Sequence, residues 1–204
     1  MRETVLLRAF VLGLFGLSTI TALAGPPGPT PQQGYAGPRC IADFCFGGPK
    51  RILEGEIVSR YGKSETSSGV YCYHVQDQGL FVRFETDHAA AGEIIEIFVS
   101  TKRNCLASFS ETVPPKARFL RFETAEGVRL GDSEGKVVAT YGPPTLVERG
   151  TGLELRGLQH EKALKSEPFG KKVLIYSARD DELLTSAFYI NDGKVAAILL
   201  SANE

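Results

Sequence analysis

Residues 130–144, LGDSEGKVVATYGPP, contain one helix together with the signals that begin and end it. Asp132 or Ser133 can cap the first turn, and the apolar residues that follow recur four positions apart, on one helix face. The Gly-Pro dipeptide at 142–143 suits the left-handed turn that ends a helix and prevents its continuation. The stretch therefore predicts a helix over Ser133–Tyr141 with one buried face.

A similar pattern occurs earlier, in KRILEGEIVSRYG at residues 50–62. Leu53, Ile57 and Tyr61 are spaced four apart, so they share one face of a helix over Lys50–Tyr61. A glycine follows the tyrosine in both stretches. The chain therefore contains an internal repeat.

Three strand-like runs follow each helix. They are Val70–Val75, Leu80–Glu85 and Glu93–Ser100 in the first copy, and Val173–Ser177, Leu184–Ile190 and Lys194–Ser201 in the second. The Asn-Asp-Gly turn at 191–193 favours a hairpin, because these residues tolerate positive φ. We predict an α+β fold of two tandem units, each with one helix packed on a three-stranded antiparallel meander. The first unit covers residues 44–112 and the second 113–204, with an insertion at 145–170.

The N-terminal residues 1–24, MRETVLLRAFVLGLFGLSTITALA, resemble a secretory signal peptide: basic residues, an apolar run and a small-x-small ending. We predict cleavage between Ala24 and Gly25, the alternative being an uncleaved membrane anchor. Residues 25–43 are rich in Pro and Gly and predict a flexible leader. These features predict a periplasmic or extracellular protein with no integral membrane segment after cleavage.

Composition narrows the classes of function. The 204 residues carry a net charge of −1 and are 43% hydrophobic. This balance excludes a wholly disordered chain and a multi-span membrane protein, and it disfavours a nucleic-acid partner, which requires a basic surface.

The four cysteines, Cys40, Cys45, Cys72 and Cys105, are an even number in a chain predicted to be exported. We therefore expect two disulfides, with three pairings possible. A zinc site is the weaker alternative, because no second close pair of ligands accompanies the Cys-x4-Cys spacing. We expect no metal and no cofactor.

Catalytic motifs are missing from the sequence. It contains no G-x-S-x-G elbow, no HExxH and no phosphate-binding glycine loop. We expect a protein that is not an enzyme. A small hydrolase using His88, beside Asp87, is the least favoured alternative.

Strand alternation suggests a binding face. Alternation places two apolar rows toward the helix: Leu80, Val82 and Phe84 in one strand, and Ile95, Ile97 and Val99 in the next. The opposite face of the first meander then carries aromatic and arginine side chains, which are typical of interfaces. The phase of the first strand is ambiguous. The predicted binding residues are Tyr71, Tyr73, Phe81, Arg83 and Phe98. The alternative is that this face packs against another part of the chain.

The motif Leu-Gly-Asp-Ser at 130–133, the Tyr-Gly-Pro at 141–143 and the Phe-x-x-x-Asp-Gly-Lys-Val-x-x-Ile hairpin at 188–198 resemble the small envelope module of the SmpA/OmlA type. This module is similar to the tandem repeats of bacterial β-lactamase inhibitor proteins. The resemblance covers 128–201 well and 44–100 loosely, and the lipidated cysteine of the assembly lipoproteins is absent. It implies a helix on one face of a small antiparallel sheet, and modules that bind proteins and are not catalysts.

Together these features predict an exported, non-catalytic module that binds another protein of unknown identity. The alternative is an inhibitor of a secreted or periplasmic enzyme, with the insertion at 145–170 entering the active site of that enzyme.

Overall fold

The computed structural model describes residues 36–46, 51–62, 69–87, 92–103, 121–149, 169–177 and 184–202. Two short helices and nine strands lie in these ranges. The helices are α1 (Glu54–Tyr61) and α2 (Glu134–Tyr141). The strands are β1 (Cys40–Ile41), β2 (Phe44–Cys45), β3 (Val70–Val75), β4 (Leu80–Asp87), β5 (Glu93–Ser100), β6 (Leu146–Arg149), β7 (Lys172–Ser177), β8 (Leu184–Asn191) and β9 (Lys194–Ala202). Within these ranges, neither helix has the length and apolar character needed to cross a membrane.

The predicted fold class is wrong. The structure is mostly β: strands β3 to β9 form a single antiparallel sheet in the order β3-β4-β5-β9-β8-β7-β6, and β1 and β2 form a separate two-stranded sheet. The two predicted meanders are joined where Glu96–Ser100 pairs with Ala197–Ser201. An unpaired apolar edge strand is exposed to non-specific association, and pairing β5 with β9 removes one such edge from each meander.

The repeat is nevertheless present inside the sheet. Each copy has a register shift in the hairpin that ends its meander, between Glu85 and Thr86 in the first and between Tyr189 and Ile190 in the second. When the two copies are aligned at these register shifts, Phe98 of the first copy corresponds to Leu199 of the second. These two residues also pair with each other where β5 meets β9. The copies are therefore related by an approximate two-fold axis perpendicular to the sheet. Such an axis places both helices on the same face.

The first residue of each helix is hydrogen-bonded to a glycine in the hairpin that ends the meander of its own copy. The Glu54 amide donates to the Gly92 carbonyl over 2.8 Å, and the Glu134 amide donates to the Gly193 carbonyl over 3.0 Å. Of the two predicted caps, Asp132 and Ser133, the structure uses Ser133, whose Oγ accepts a hydrogen bond from the Lys136 amide.

Each helix ends where the sequence predicts, at a glycine with positive φ, 84° at Gly62 and 78° at Gly142. The carbonyls of these glycines accept hydrogen bonds from tyrosine hydroxyls of the sheet, from Tyr73 (2.8 Å) and Tyr176 (3.1 Å). Each helix is thereby attached to the sheet at both ends.

The main hydrophobic core lies between the helices and the sheet. Ile57 and Tyr61 of α1 and Val137 and Tyr141 of α2 are buried in it. Phe44 of the β1–β2 hairpin packs against Tyr61, and the segment at 122–128 contributes further apolar side chains. One core therefore spans both copies on the helix side of the sheet.

Candidate functional site

The outer face, defined as the face of the seven-stranded sheet opposite the helices, is the candidate site. Side chains alternate along a strand, so the buried Val82 and Phe84 of the helix-side core place Phe81, Arg83 and Glu85 on the outer face. The pairing of Arg83 with Phe98 places Phe98 there as well.

Tyr71 and Tyr73 lie on the helix side, so their predicted position is wrong. Both are buried in the main core, and the Tyr73 ring lies 5.2 Å from the Tyr61 ring. Burial raises the pKa of Tyr71 to about 12, and a hydrogen bond to Glu54 adds to the effect. Alternation leaves β3 ambiguous because both of its faces carry apolar or aromatic residues; only its register with β4 decides which face is buried.

Arg83 lies on the predicted face but is not exposed. Its side chain is 1% accessible; Nη2 donates to Glu96 Oε1, and Glu85 lies 3.5 Å away. The guanidinium carbon lies 5.9 Å from the centre of the Phe98 ring, and Nε has no hydrogen-bond partner. Arg83 is therefore a buried, ion-paired residue of the sheet.

Among the predicted residues, Phe81 stays partly exposed on the outer face, where its ring stacks on His74, a residue that was not predicted. Their ring centres are 4.5 Å apart and the ring planes differ by 10°. The two residues pair across β3 and β4, and both are half-buried. An aromatic pair that keeps part of its surface accessible is suited to contact another molecule.

A second cluster covers the middle of the outer face. We call it the socket; it consists of Phe98, Val173, Ala187, Tyr189, Ala197 and Leu199. Phe169 fills the socket, with its ring 4.9 Å from Phe98 in an edge-to-face contact and 6.3 Å from Tyr189. Burial raises the pKa of Tyr189. Phe98 is fully buried. At this position, therefore, the outer face packs against another part of the chain, which was the alternative expectation.

Sequence reasoning missed the socket because Phe169 lies in the predicted insertion, where no strand periodicity suggests a partner. The small residues Ala187 and Ala197 were the available signal, since they leave room above the sheet. Strand alternation also predicted that Ile95 faces the helix, whereas its neighbour Ile94 belongs to the helix-side core. The register shift in β4 and β5 changes the alternation at that point.

The cysteines that the structure describes are oxidised to disulfides, as predicted. Cys40 and Cys45 form a disulfide that closes the β1–β2 hairpin. Cys72, on the outer face opposite Arg83, is also disulfide-bonded, whereas Cys105 lies outside the described residues. Across the described ranges, no group of three or more His, Cys, Asp or Glu side chains is placed to hold a metal ion.

Several predicted features lie outside the described residues: the cleavage site at Ala24 and Gly25, the leader up to residue 35, His88, and residues 150–168 of the insertion. The insertion is described only at its ends. It begins with β6, where Leu146 is 45% and Val147 42% exposed, and it returns to the sheet at Phe169.

No family model, curated protein or solved structure matches this chain.

Proposed function

We propose that the protein is an exported, non-catalytic module that binds another protein, and that the partner contacts the outer face at His74 and Phe81. The observation that carries the proposal is the stacked pair of rings, each partly exposed, on the face of the sheet opposite the helices. Aromatic side chains with accessible surface are enriched where proteins bind each other.

Export is supported by the signal-like residues 1–24 and by the disulfide between Cys40 and Cys45. Disulfides persist in the periplasm and outside the cell, and are rare in the reducing cytosol. N-terminal sequencing of the protein recovered from the envelope and the culture medium tests this part. We expect the chain to begin at Gly25; recovery only from the cytosol with Met1 intact would contradict export.

The binding surface is tested by capture and mild crosslinking from envelope and supernatant extracts of the source cell. The baits are the wild type and the variants His74→Ala and Phe81→Ser. We expect one stoichiometric partner with the wild type and at least a tenfold loss with both variants. Arg83 and Tyr73 are unsuitable test positions, because both are buried and their replacement would disturb folding.

The matched control is Leu53→Ser, which changes an exposed apolar side chain beside α1, away from the outer face. It should retain the partner. Equal retention by Phe81→Ser and Leu53→Ser would contradict the assignment of the surface, whereas a blank with every bait would contradict protein binding itself.

Inhibition of a secreted or periplasmic enzyme is the second candidate function. It is favoured by the exposure of Leu146 and Val147 on β6, where the insertion begins. Side chains of this type, held on a short edge strand, are suited to enter an apolar cleft. The test is a panel of secreted hydrolases assayed with the wild type and with the double variant Leu146→Ser, Val147→Ser; inhibition that both proteins share would contradict a role for β6.

A further inference from the structure

The segment Phe169–Lys171, which we call the strap, lies against the outer face in the second copy. Phe169 is 8% exposed and fills the socket. The Lys171 amide donates to the Ile190 carbonyl over 3.0 Å. A Cβ atom on Gly170 would lie only 2.7 Å from the Ile190 oxygen, so this close approach requires glycine.

The socket receives an aromatic ring because the sheet beneath it is lined with small side chains. Ala187 and Ala197 stand on neighbouring strands, where the first copy has Arg83 and Glu96 at the corresponding positions. Phe98 and Tyr189 form aromatic walls around the inserted ring. The pocket thus accommodates an aromatic ring whose following residue is glycine.

Within the described ranges, the strap has few polar attachments. Besides the Lys171 amide bond, Lys171 Nζ forms an ion pair with Asp192 over 3.3 Å, and both of these side chains are more than two-thirds exposed. Exposed ion pairs contribute about 0–1 kcal/mol. Segments with few polar attachments are candidates for local opening below the free energy of global unfolding.

We propose that the socket is a recognition site for an aromatic side chain of a partner protein, and that the strap occupies it as an internal ligand. The partner supplies a segment with an aromatic residue followed by glycine, and this segment displaces Phe169. The proposal rests on the protein-binding function proposed above and assigns a second part of the outer face to it.

The first test is hydrogen exchange of the wild-type protein. We expect the Lys171 amide to exchange at least 100-fold faster than the amides of Phe188 and Ile198 in the centre of the sheet. Equal protection of these amides would show that the strap leaves only on global unfolding, and would overturn the proposal.

The second test uses a labelled peptide, Glu-Pro-Phe-Gly-Lys-Lys, which copies residues 167–172, and a control peptide with Ala in place of Phe. We expect Phe169→Ala to bind the Phe peptide at least tenfold more tightly than the wild type does, and more tightly than it binds the Ala peptide. Gly170→Ala, which keeps Phe169 but forces the strap away from Ile190, should also bind the Phe peptide more tightly than the wild type.

The control variant is Leu53→Ala, which should bind the peptides as the wild type does. If neither strap variant distinguishes the Phe peptide from the Ala peptide, the socket is ordinary core packing. The peptide and exchange results depend on this chain alone. They therefore stand whether or not a natural partner is captured, and a failure here is distinct from a failure of the proposed function.

Discussion

At the scale of single residues, Arg83 is the side chain on which prediction and structure differ most. Its predicted face is correct, but its guanidinium is buried between Glu96 and Glu85. At the corresponding positions of the second copy, Ala187 and Ala197 need no charge compensation. The two halves of the outer face therefore have the same backbone and different chemistry.

Arg83→Met should lower the free energy of unfolding by about 3–5 kcal/mol, because it leaves the Glu96 carboxylate buried without its partner. The double variant Arg83→Met, Glu96→Leu should recover most of this loss, since no buried charge remains. Urea unfolding of the two single variants and the double variant measures the coupling. Additive losses would show that the two charges do not depend on each other.

Asp132, just before α2, predicts a dependence of stability on pH. Burial alone would raise the pKa of Asp132, but hydrogen bonds from Lys136 Nζ (2.7 Å) and the Arg129 amide (2.9 Å), with the positive charges of both residues, lower it below the ordinary value of 3.8. A carboxyl with a lowered pKa in the folded state stabilises the protein above its unfolded pKa, and this stabilisation is lost as the pH falls through the folded pKa.

Asp132→Asn should therefore be less stable than the wild type at pH 7, by about 1 kcal/mol for the weakened hydrogen bonds. The difference should shrink as the pH falls below about 4. Urea unfolding at a series of pH values measures it. A difference that is the same at pH 7 and at pH 2.5 would contradict the role of the charge.

At the scale of elements, the β1–β2 hairpin secures one end of the main core. Phe44 lies in this hairpin and packs on Tyr61 and, at 5.2 Å, on Phe84. Asp43 in the turn pairs with Arg60 of α1, and the Ala42 amide donates to the Glu123 carbonyl over 2.7 Å. The hairpin thereby connects α1 to the segment that precedes α2.

Removing the hairpin disulfide with Cys40→Ser, Cys45→Ser should cost about 2 kcal/mol, from the chain entropy of a closed loop of about six residues. For a chain of this size, that corresponds to a fall in Tm of about 4–8 °C. Calorimetry of the oxidised proteins measures the shift. The variant Ser59→Ala, on an exposed position of α1, is the control; an equal Tm for the disulfide variant and the wild type would show that the hairpin is held by packing alone.

At the scale of the whole molecule, the junction of β5 and β9 makes the two copies one structure. Ile97 and Val99 of the first copy pair with Leu200 and Ile198 of the second, and all four side chains belong to one core. Elements that share a continuous core unfold together in small proteins.

Ile57→Ala in the first copy and Val137→Ala in the second should each lower the Tm of one common transition. A cavity of this kind costs about 2–5 kcal/mol for isoleucine, and less for the smaller valine. Calorimetry with far-ultraviolet circular dichroism measures the transition. Two resolved transitions, of which each variant moves only one, would contradict a single cooperative unit.

The first helix begins at Glu54 and not at Lys50, so Leu53 is exposed and not on the buried face. The other local elements could be predicted from the sequence: the rest of both helices with their C-terminal glycines, a cap at Asp132 or Ser133, six of the seven strands of the large sheet, the repeat, and oxidised cysteines. These features depend on side-chain periodicity and turn chemistry over short stretches. The predicted position of Phe81 and Arg83 on the outer face also follows from simple alternation.

The tertiary fold sets which strands adjoin, since β5 and β9 are about a hundred residues apart in the sequence and their backbone pairing has no sequence pattern. It also decided which face of β3 is buried, since both faces carry apolar residues, and it placed Phe169 in the socket. The common physical reason is that strand pairing, sheet register and long-range packing depend on contacts between distant residues. These contacts turn two predicted units into one sheet and most of a predicted exposed face into a packed surface.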